Sequence, residues 1–204
     1  NGATASFQAL RVGGGTQPAR LTLNTSSGIE VLAASAGDAL AGQVFVGGGT
    51  GRSVLELKNG SSMLVLPGNL PAAGDVFVQR NGVLRVDTSS AMAVQELFVV
   101  GTLIGKVVET GLAQKQAPGK TGIQGNIEIA PEGTLVLEFS QGEAGVGLPI
   151  SGDLTQNGTL EVRFLDGFEP TAGQVLPLLK VAGNKTGAFA SFRFPTRSAD
   201  FQGN

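Results

Sequence analysis

Two consecutive stretches of this chain match residue by residue at an offset of thirty-four positions. Val12-Gly13-Gly14-Gly15-Thr16 leads through Leu21-Thr22-Leu23 to Ile29-Glu30-Val31. Val46-Gly47-Gly48-Gly49-Thr50 leads through Leu55-Glu56-Leu57 to Met63-Leu64-Val65. A third copy, Val76-Phe77-Val78 through Gly82-Val83-Leu84-Arg85-Val86 to Val94, keeps the strands and shortens the glycine turn. Within each piece apolar and polar residues alternate with period two. That pattern puts one set of side chains inward and the other outward, as in a half-buried strand. Sustained 3.6-residue periodicity is absent. The one stretch that tests for a helix, Ala33 to Ala41, is interrupted by Gly37.

A recurring core reads Gly-polar-Val/Ile/Leu, a turn ending in Gly, then x-Leu-x-Val/Leu, with starts at Gly42, Gly74, Gly125 and Gly152. The repeat copies themselves, beginning near 10, 44, 76 and 97, lie 34, 32 and about 21 positions apart, and with two or three strands in each they are too widely spaced for single hairpins. They predict an all-β chain folded as a single-stranded parallel β-helix, a β-solenoid, in which each strand pairs with its equivalent in the next coil. About six coils stacked at the strand spacing would span roughly 30 Å. Like residues should stack: Leu21 under Leu55 under Leu84, and Val31 under Val65 under Val94. A β-sandwich of short antiparallel strands is the alternative, because turn signals every 8–12 residues suit it as well.

The coils occupy 1–164, with inserted loops expected at 109–125 and 141–147, and 165–204 reads as a C-terminal capping segment. Phe168, Phe189, Phe192, Phe194 and Phe201 concentrate there, with Phe164 just before it, and a repeat protein needs an atypical end unit over its exposed core. Residues 158–179, Gly158-Thr159-Leu160-Glu161-Val162-Arg163-Phe164 and onward through Pro170 to Leu179, followed by Gly187-Ala188-Phe189, resemble the closing segment of autotransporter-like bacterial surface β-helices. The resemblance implies a right-handed, extracellular β-helix that serves as stalk, adhesin or scaffold. No cap precedes Leu10. The chain does not begin with Met and reads as a mature or trimmed fragment, so coils are expected to continue upstream or another subunit to dock at that edge.

The inventory of chemistry is short. Cys, His, Trp and Tyr are absent, which removes disulfides, thiolate and imidazole metal sites, and any serine–histidine pair. No cofactor or metal site is expected. Charged residues make up 15% and the net charge is −2, so no basic field attracts nucleic acid. No apolar run approaches the roughly 18 residues of a membrane-spanning helix. The two Gly-Gly-Gly-Thr runs invite a phosphate-loop reading but lack the Lys and the following helix. Lys120-Thr121 lacks the upstream glycine. Ser26-Ser27, Ser61-Ser62 and Ser89-Ser90 recur at one corner, where hydroxyls serve turn backbone.

Parallel β-helices that act on polysaccharides use paired carboxylates, about 5–10 Å apart for glycosidic cleavage. Glu128, Glu132, Glu138, Asp153 and Glu161 are the candidates, with Glu138 and Glu161 expected at comparable outward positions after Leu137 and Leu160. Four sequons, at Asn24, Asn59, Asn157 and Asn184, are either candidate glycosylation sites or the ordinary company of turn residues. The chain therefore reads as an extracellular or cell-surface structural or adhesive solenoid without catalytic activity. It is expected to self-associate or continue at its N-terminal edge and to meet a carbohydrate or host-surface ligand. A polysaccharide-binding or polysaccharide-degrading β-helix is the alternative.

Overall fold

The computed structural model describes residues 3–24, 27–31, 42–58, 61–65, 74–86, 90–106, 122–140, 147–165 and 167–195. No helix occurs among them. β1 (Thr4–Phe7) precedes a series of three-sided turns. The first is β2 (Leu10–Val12), β3 (Ala19–Leu23) and β4 (Gly28–Val31); the second is β5 (Val44–Val46), β6 (Ser53–Leu57) and β7 (Ser62–Val65). Next come β8 (Val76–Val78), β9 (Gly82–Val86) and the first half of β10 (Ala91–Val99). The second half of β10 continues into β11 (Thr102–Lys106) and the first half of β12 (Gly122–Ile129). The second half of β12 leads to β13 (Thr134–Phe139) and β14 (Leu148–Ile150). β15 (Leu154–Gln156), β16 (Thr159–Phe164) and β17 (Leu179–Val181) form the last full circuit, and β18 (Lys185–Gly187) and β19 (Ser191–Arg193) add to two faces beyond it.

The pairings are parallel throughout, which makes the chain a parallel β-solenoid and excludes the sandwich. β3, β6, β9, β11, β13, β16 and β19 stack as one seven-stranded face, here the second face. β2, β5, β8, β10, β12, β15 and β18 form the first face, and β1, β4, β7, β10, β12, β14 and β17 the third. The expected ladders are present: Leu21 pairs with Leu55 and Leu55 with Leu84, and Val31 pairs with Val65. Val94 follows next in that register, after Ala93 beside Leu64.

Inward positions on all three faces form one continuous apolar core. In the turns from Val44 to Ile150 these positions are closed to solvent. Val44, Leu55, Met63, Leu84, Met92, Leu103, Ile127 and Leu135 are examples. The expected count of about six coils is thus corrected to about four fully packed turns. The physical reason is that Leu10 and Leu21 at one end, and Leu179 and Val181 at the other, have a neighbouring turn on one side only and remain half-buried.

The Gly-x-Leu-x-Val motif has a steric cause. Gly82, Gly101, Gly133 and Gly158 lie at the corner that opens the second face. A Cβ on Gly82 would sit 2.1 Å from the Val46 carbonyl oxygen, and one on Gly158 would sit 2.1 Å from that of Gly133. The next turn approaches so closely that a hydrogen is the only side chain with room. Where the third face meets the first, β10 and β12 run around the corner unbroken. β12 does so through Gly125, at φ 138°, and β10 through Gln95-Glu96, with a register shift between Ala93 and Glu96. Residues 122–125, expected within a loop, therefore open β12. The rest of that loop, the Ala33–Ala41 stretch and 141–146 lie outside the described residues. The segment expected as a cap contributes β17, β18 and β19, one strand to each face, and seats Phe168 against Phe139 and Phe164 at the end of the core.

Leu84→Ala should lower unfolding stability by about 2–5 kcal/mol in urea titration, the cost of a cavity in a closed core. Gly82→Ala adds one methyl and should still cost about 1–3 kcal/mol, because two backbones must part. Gly15→Ala, with no atom within 4 Å of the added Cβ, should stay within about 0.5 kcal/mol. Equal effects at Gly82 and Gly15 would contradict the corner packing.

Candidate functional site

Outward side chains on the second face form a chain of ion pairs running along the stack. Register places Thr22, Glu56, Arg85, Ile104, Val136, Glu161 and Arg193 in one column. Lys58 lies one outward position beyond Glu56, and Glu138 pairs with Arg163 in the column beyond that of Val136 and Glu161. Glu56 is buried and is met by Lys58 Nζ at 2.9 Å, Arg20 Nη2 at 3.3 Å and Arg85 Nε at 3.7 Å. Thr22 Oγ1 also donates to it, at 3.4 Å. Arg85 then spans β11 to reach Glu138. Arg163 lies 3.9 Å from Glu138 and donates to Glu161 at 2.5 Å, and Arg193 closes the series 3.8 Å from Glu161.

The span across β11 is possible because its intervening outward residue is Ile104. Val83, Ile104 and Val136, with Val54 beside them, make a second apolar cluster on this outer surface. An arginine stem can lie along such a stripe while its guanidinium reaches a carboxylate. Glu138, itself buried, is thereby charge-compensated from two directions.

The five acids named from the sequence separate. Glu138 and Glu161 share the second face and share Arg163, but they are not at equivalent positions: Glu138 pairs with Arg163, and Glu161 with Val136. Alignment runs from Gly133 and Gly158, so Leu135 faces Leu160 and the two acids fall in different columns. Glu128 lies on the first face next to Phe98, Glu132 in an exposed turn, and Asp153 at a corner where its Oδ1 accepts the Asn184 main-chain N–H at 2.7 Å. Among the described residues no group of three or more His, Cys, Asp or Glu side chains could hold a metal ion.

The glycine runs are corners. Gly47 N–H donates to Val12 O, Gly48 N–H to Arg80 O and Gly51 N–H to Gly15 O. These donors, which a phosphate loop would aim at its ligand, go to neighbouring turns. The serine corner meets the expectation in part: Ser27 Oγ donates to the Asn24 carbonyl at 2.6 Å, whereas the Ser61 and Ser90 hydroxyls bond to each other across turns at 3.4 Å, and Ser26 and Ser89 lie outside the described residues. Of the sequon asparagines, Asn24 and Asn184 are exposed and Asn157 is half-buried; Asn59 lies outside the described residues. The Asn184 amide contacts Asp153 Oδ1 at 3.4 Å.

Two features escape a motif search. Phe45, Phe77 and Phe98 stack on the first face with centroids 5.1 Å apart and planes within about ten degrees of parallel, and Arg11 lies 5.6 Å from the Phe45 ring. The signal was Val44-Phe45-Val46, Val76-Phe77-Val78 and Leu97-Phe98-Val99 at equivalent positions. The rings face one another, so their faces are used within the stack. The second feature is a polar column at the preceding corner: Gln43, Asp75, Glu96, Asn126, Asp153 and Asn184. Burial pushes the Asp75 carboxyl above the ordinary carboxylate range, and the Glu96 charge adds to that rise.

No known protein family matches the chain, and no curated protein or solved structure matches it either. The likeness to autotransporter-like proteins therefore reduces to the solenoid architecture.

Glu138→Ala should cost about 1–2 kcal/mol, less than the loss of a fully buried pair because Arg85 and Arg163 are partly solvated. Glu161→Ala should cost below about 1 kcal/mol. Denaturation repeated at about 1 M salt should remove most of the second effect and keep most of the first. Equal, fully screened losses would mean that Glu138 behaves as a surface charge.

Proposed function

We propose that this protein is a structural or adhesive surface solenoid, a stalk or scaffold component that acts through its shape and has no catalytic activity. The observation that supports this best is the use of its outward side chains. Charged residues of the second face, aromatic rings of the first and hydroxyls at a corner contact one another along the stack, from turn to turn in most cases and across a whole strand at Arg85–Glu138. Groups that would turn over a substrate are here occupied in holding turns together. On this reading the protein belongs outside the cell or on its surface, where a carbohydrate or host-surface ligand would meet the rod. Its N-terminal edge would join further coils or a second copy. β1, β2 and β3 pair on one side only among the described residues, which leaves strand edges of the kind that accept another strand.

A second reading, a polysaccharide-binding or polysaccharide-degrading β-helix, draws on Glu138 and Glu161 lying close enough on one face to share Arg163. Incubation with a panel of neutral and acidic polysaccharides separates the two. The structural reading expects no new reducing or unsaturated ends. Release of such ends by the wild type, lost in both Glu138→Gln and Glu161→Gln while the fold is retained, would establish the enzymatic reading instead.

A further inference from the structure

The polar column at the corner before the first face is regular except at one rung. From Asn126 onward each side chain caps the next turn: Asn126 Oδ1 accepts the Asp153 N–H at 2.9 Å, and Asp153 Oδ1 accepts the Asn184 N–H at 2.7 Å. Asp75 does the same for the Glu96 N–H. Here, though, two carboxylates occupy successive rungs, about 4.8 Å apart at the parallel-strand spacing. Asp75 is only 5% exposed, and its Oδ1 has no hydrogen-bond partner. Glu96 is half-buried, and its Oε2 accepts from Asn126 Nδ2 at 3.2 Å. The rung also sits where β10 rounds the corner without a glycine, beside the register shift between Ala93 and Glu96.

A buried carboxylate one rung from a half-buried one is costly to ionise, and either a proton or a cation relieves that cost. A hard cation needs about six oxygen ligands. Two carboxylates occupy neighbouring rungs here, and no larger group of acidic ligands exists among the described residues. A proton needs a single oxygen, and Asp75 Oδ1, buried and without a hydrogen-bond partner, supplies it.

We propose that Asp75 takes up a proton beside Glu96 at the junction of the third and fourth turns, making this rung an acid-strengthened latch in the stack. On protonation a neutral Asp75 side chain lies next to the Glu96 rung. On deprotonation the proton leaves to solvent and two anions face each other. Among the described residues, Gln43 just before β5 and Glu96 of β10 flank Asp75 on the two sides, and Glu96 is the charged group acting on it. Burial and Glu96 both raise the Asp75 carboxyl, so the folded chain holds this proton more tightly than the unfolded chain. The rung's contribution is therefore fully present below the ordinary carboxylate range and lost as pH rises through the raised folded value.

The test is thermal unfolding of the full chain from pH 4 to pH 8, wild type against Asp75→Asn, with a ¹³C NMR titration of the Asp75 carboxyl. Asn keeps an acceptor for the Glu96 N–H and removes the charge. The variant should melt about 2–4 °C higher than wild type at pH 8, with the difference shrinking toward zero at pH 4. The Asp75 carboxyl should titrate above ordinary aspartate, and Glu96→Gln should bring it down. A pH-independent difference, a variant less stable at pH 8, or an Asp75 titration unmoved by Glu96→Gln overturns the proposal. So does stabilisation of the wild type by calcium at pH 8 that Asp75→Asn abolishes, which would make the rung a cation site.

Discussion

The close approach of successive turns at the second-face corner is the contact on which the rest of the stack depends. The carbonyls of Val46, Val99 and Gly133 occupy the space where side chains would begin on Gly82, Gly133 and Gly158. A larger residue there would hold neighbouring turns apart and break the hydrogen bonds between them. Once that contact is made, the strand leaving the corner has one register. Leucine two positions after each of these glycines, and after Gly101 at the same corner, then falls on leucine: Leu84, Leu103, Leu135 and Leu160. The core follows from the corner, because period-two alternation sends every second residue inward from a fixed start.

The same register imposes a condition on the outside. Each outward side chain meets its equivalent in the next turn at the strand spacing, so a column must consist of groups that tolerate close neighbours. Phenylalanine does so by ring stacking, worth about 0.5–1.5 kcal/mol per pair beyond area burial. Serine and asparagine do so by hydrogen bonding. Charges must alternate. The second face meets the condition with Glu56, Arg85, Glu138, Arg163, Glu161 and Arg193, even where an apolar rung forces Arg85 to reach across a strand. Asp75 and Glu96 are the departure from it. A solvated like-charge pair would cost little; with Asp75 buried, the cost must appear as a shifted protonation equilibrium.

What could be read from the sequence was the part fixed locally. Alternation in Leu21-Thr22-Leu23 and its copies is set by the backbone, and the glycine spacing reports the corner, so strands, stacking and the parallel solenoid were legible. Relations across turns were harder. Counting from Leu137 and Leu160 puts Glu138 and Glu161 together; counting from the glycines separates them by two positions, and only the pairing settles which origin applies. The Glu56 hub gathers Arg20, Lys58 and Arg85 from three turns, with no short motif to mark it. β10 hides a corner because Gln95-Glu96 bends without glycine. The difference between about six coils and about four packed turns has the same origin: repeats in a sequence count strands, whereas closure of the core requires a neighbour on both sides.

Variable spacing between copies follows from this division of labour. Val44, Val76 and Leu97 stay aligned although 32 positions separate the first two and 21 the second two. Residues added or removed between strands leave the pairing intact provided that the chain returns to the same corner contact. In a quasi-one-dimensional stack each turn interacts chiefly with its neighbours, so a change in one connection is not transmitted along the rod. A substitution at a corner glycine or in an alternating charge column acts on every turn that uses the contact. The steric constraint on the stack therefore falls on Gly82 and its equivalents and on the inward leucines, and the spacing between copies is free to differ.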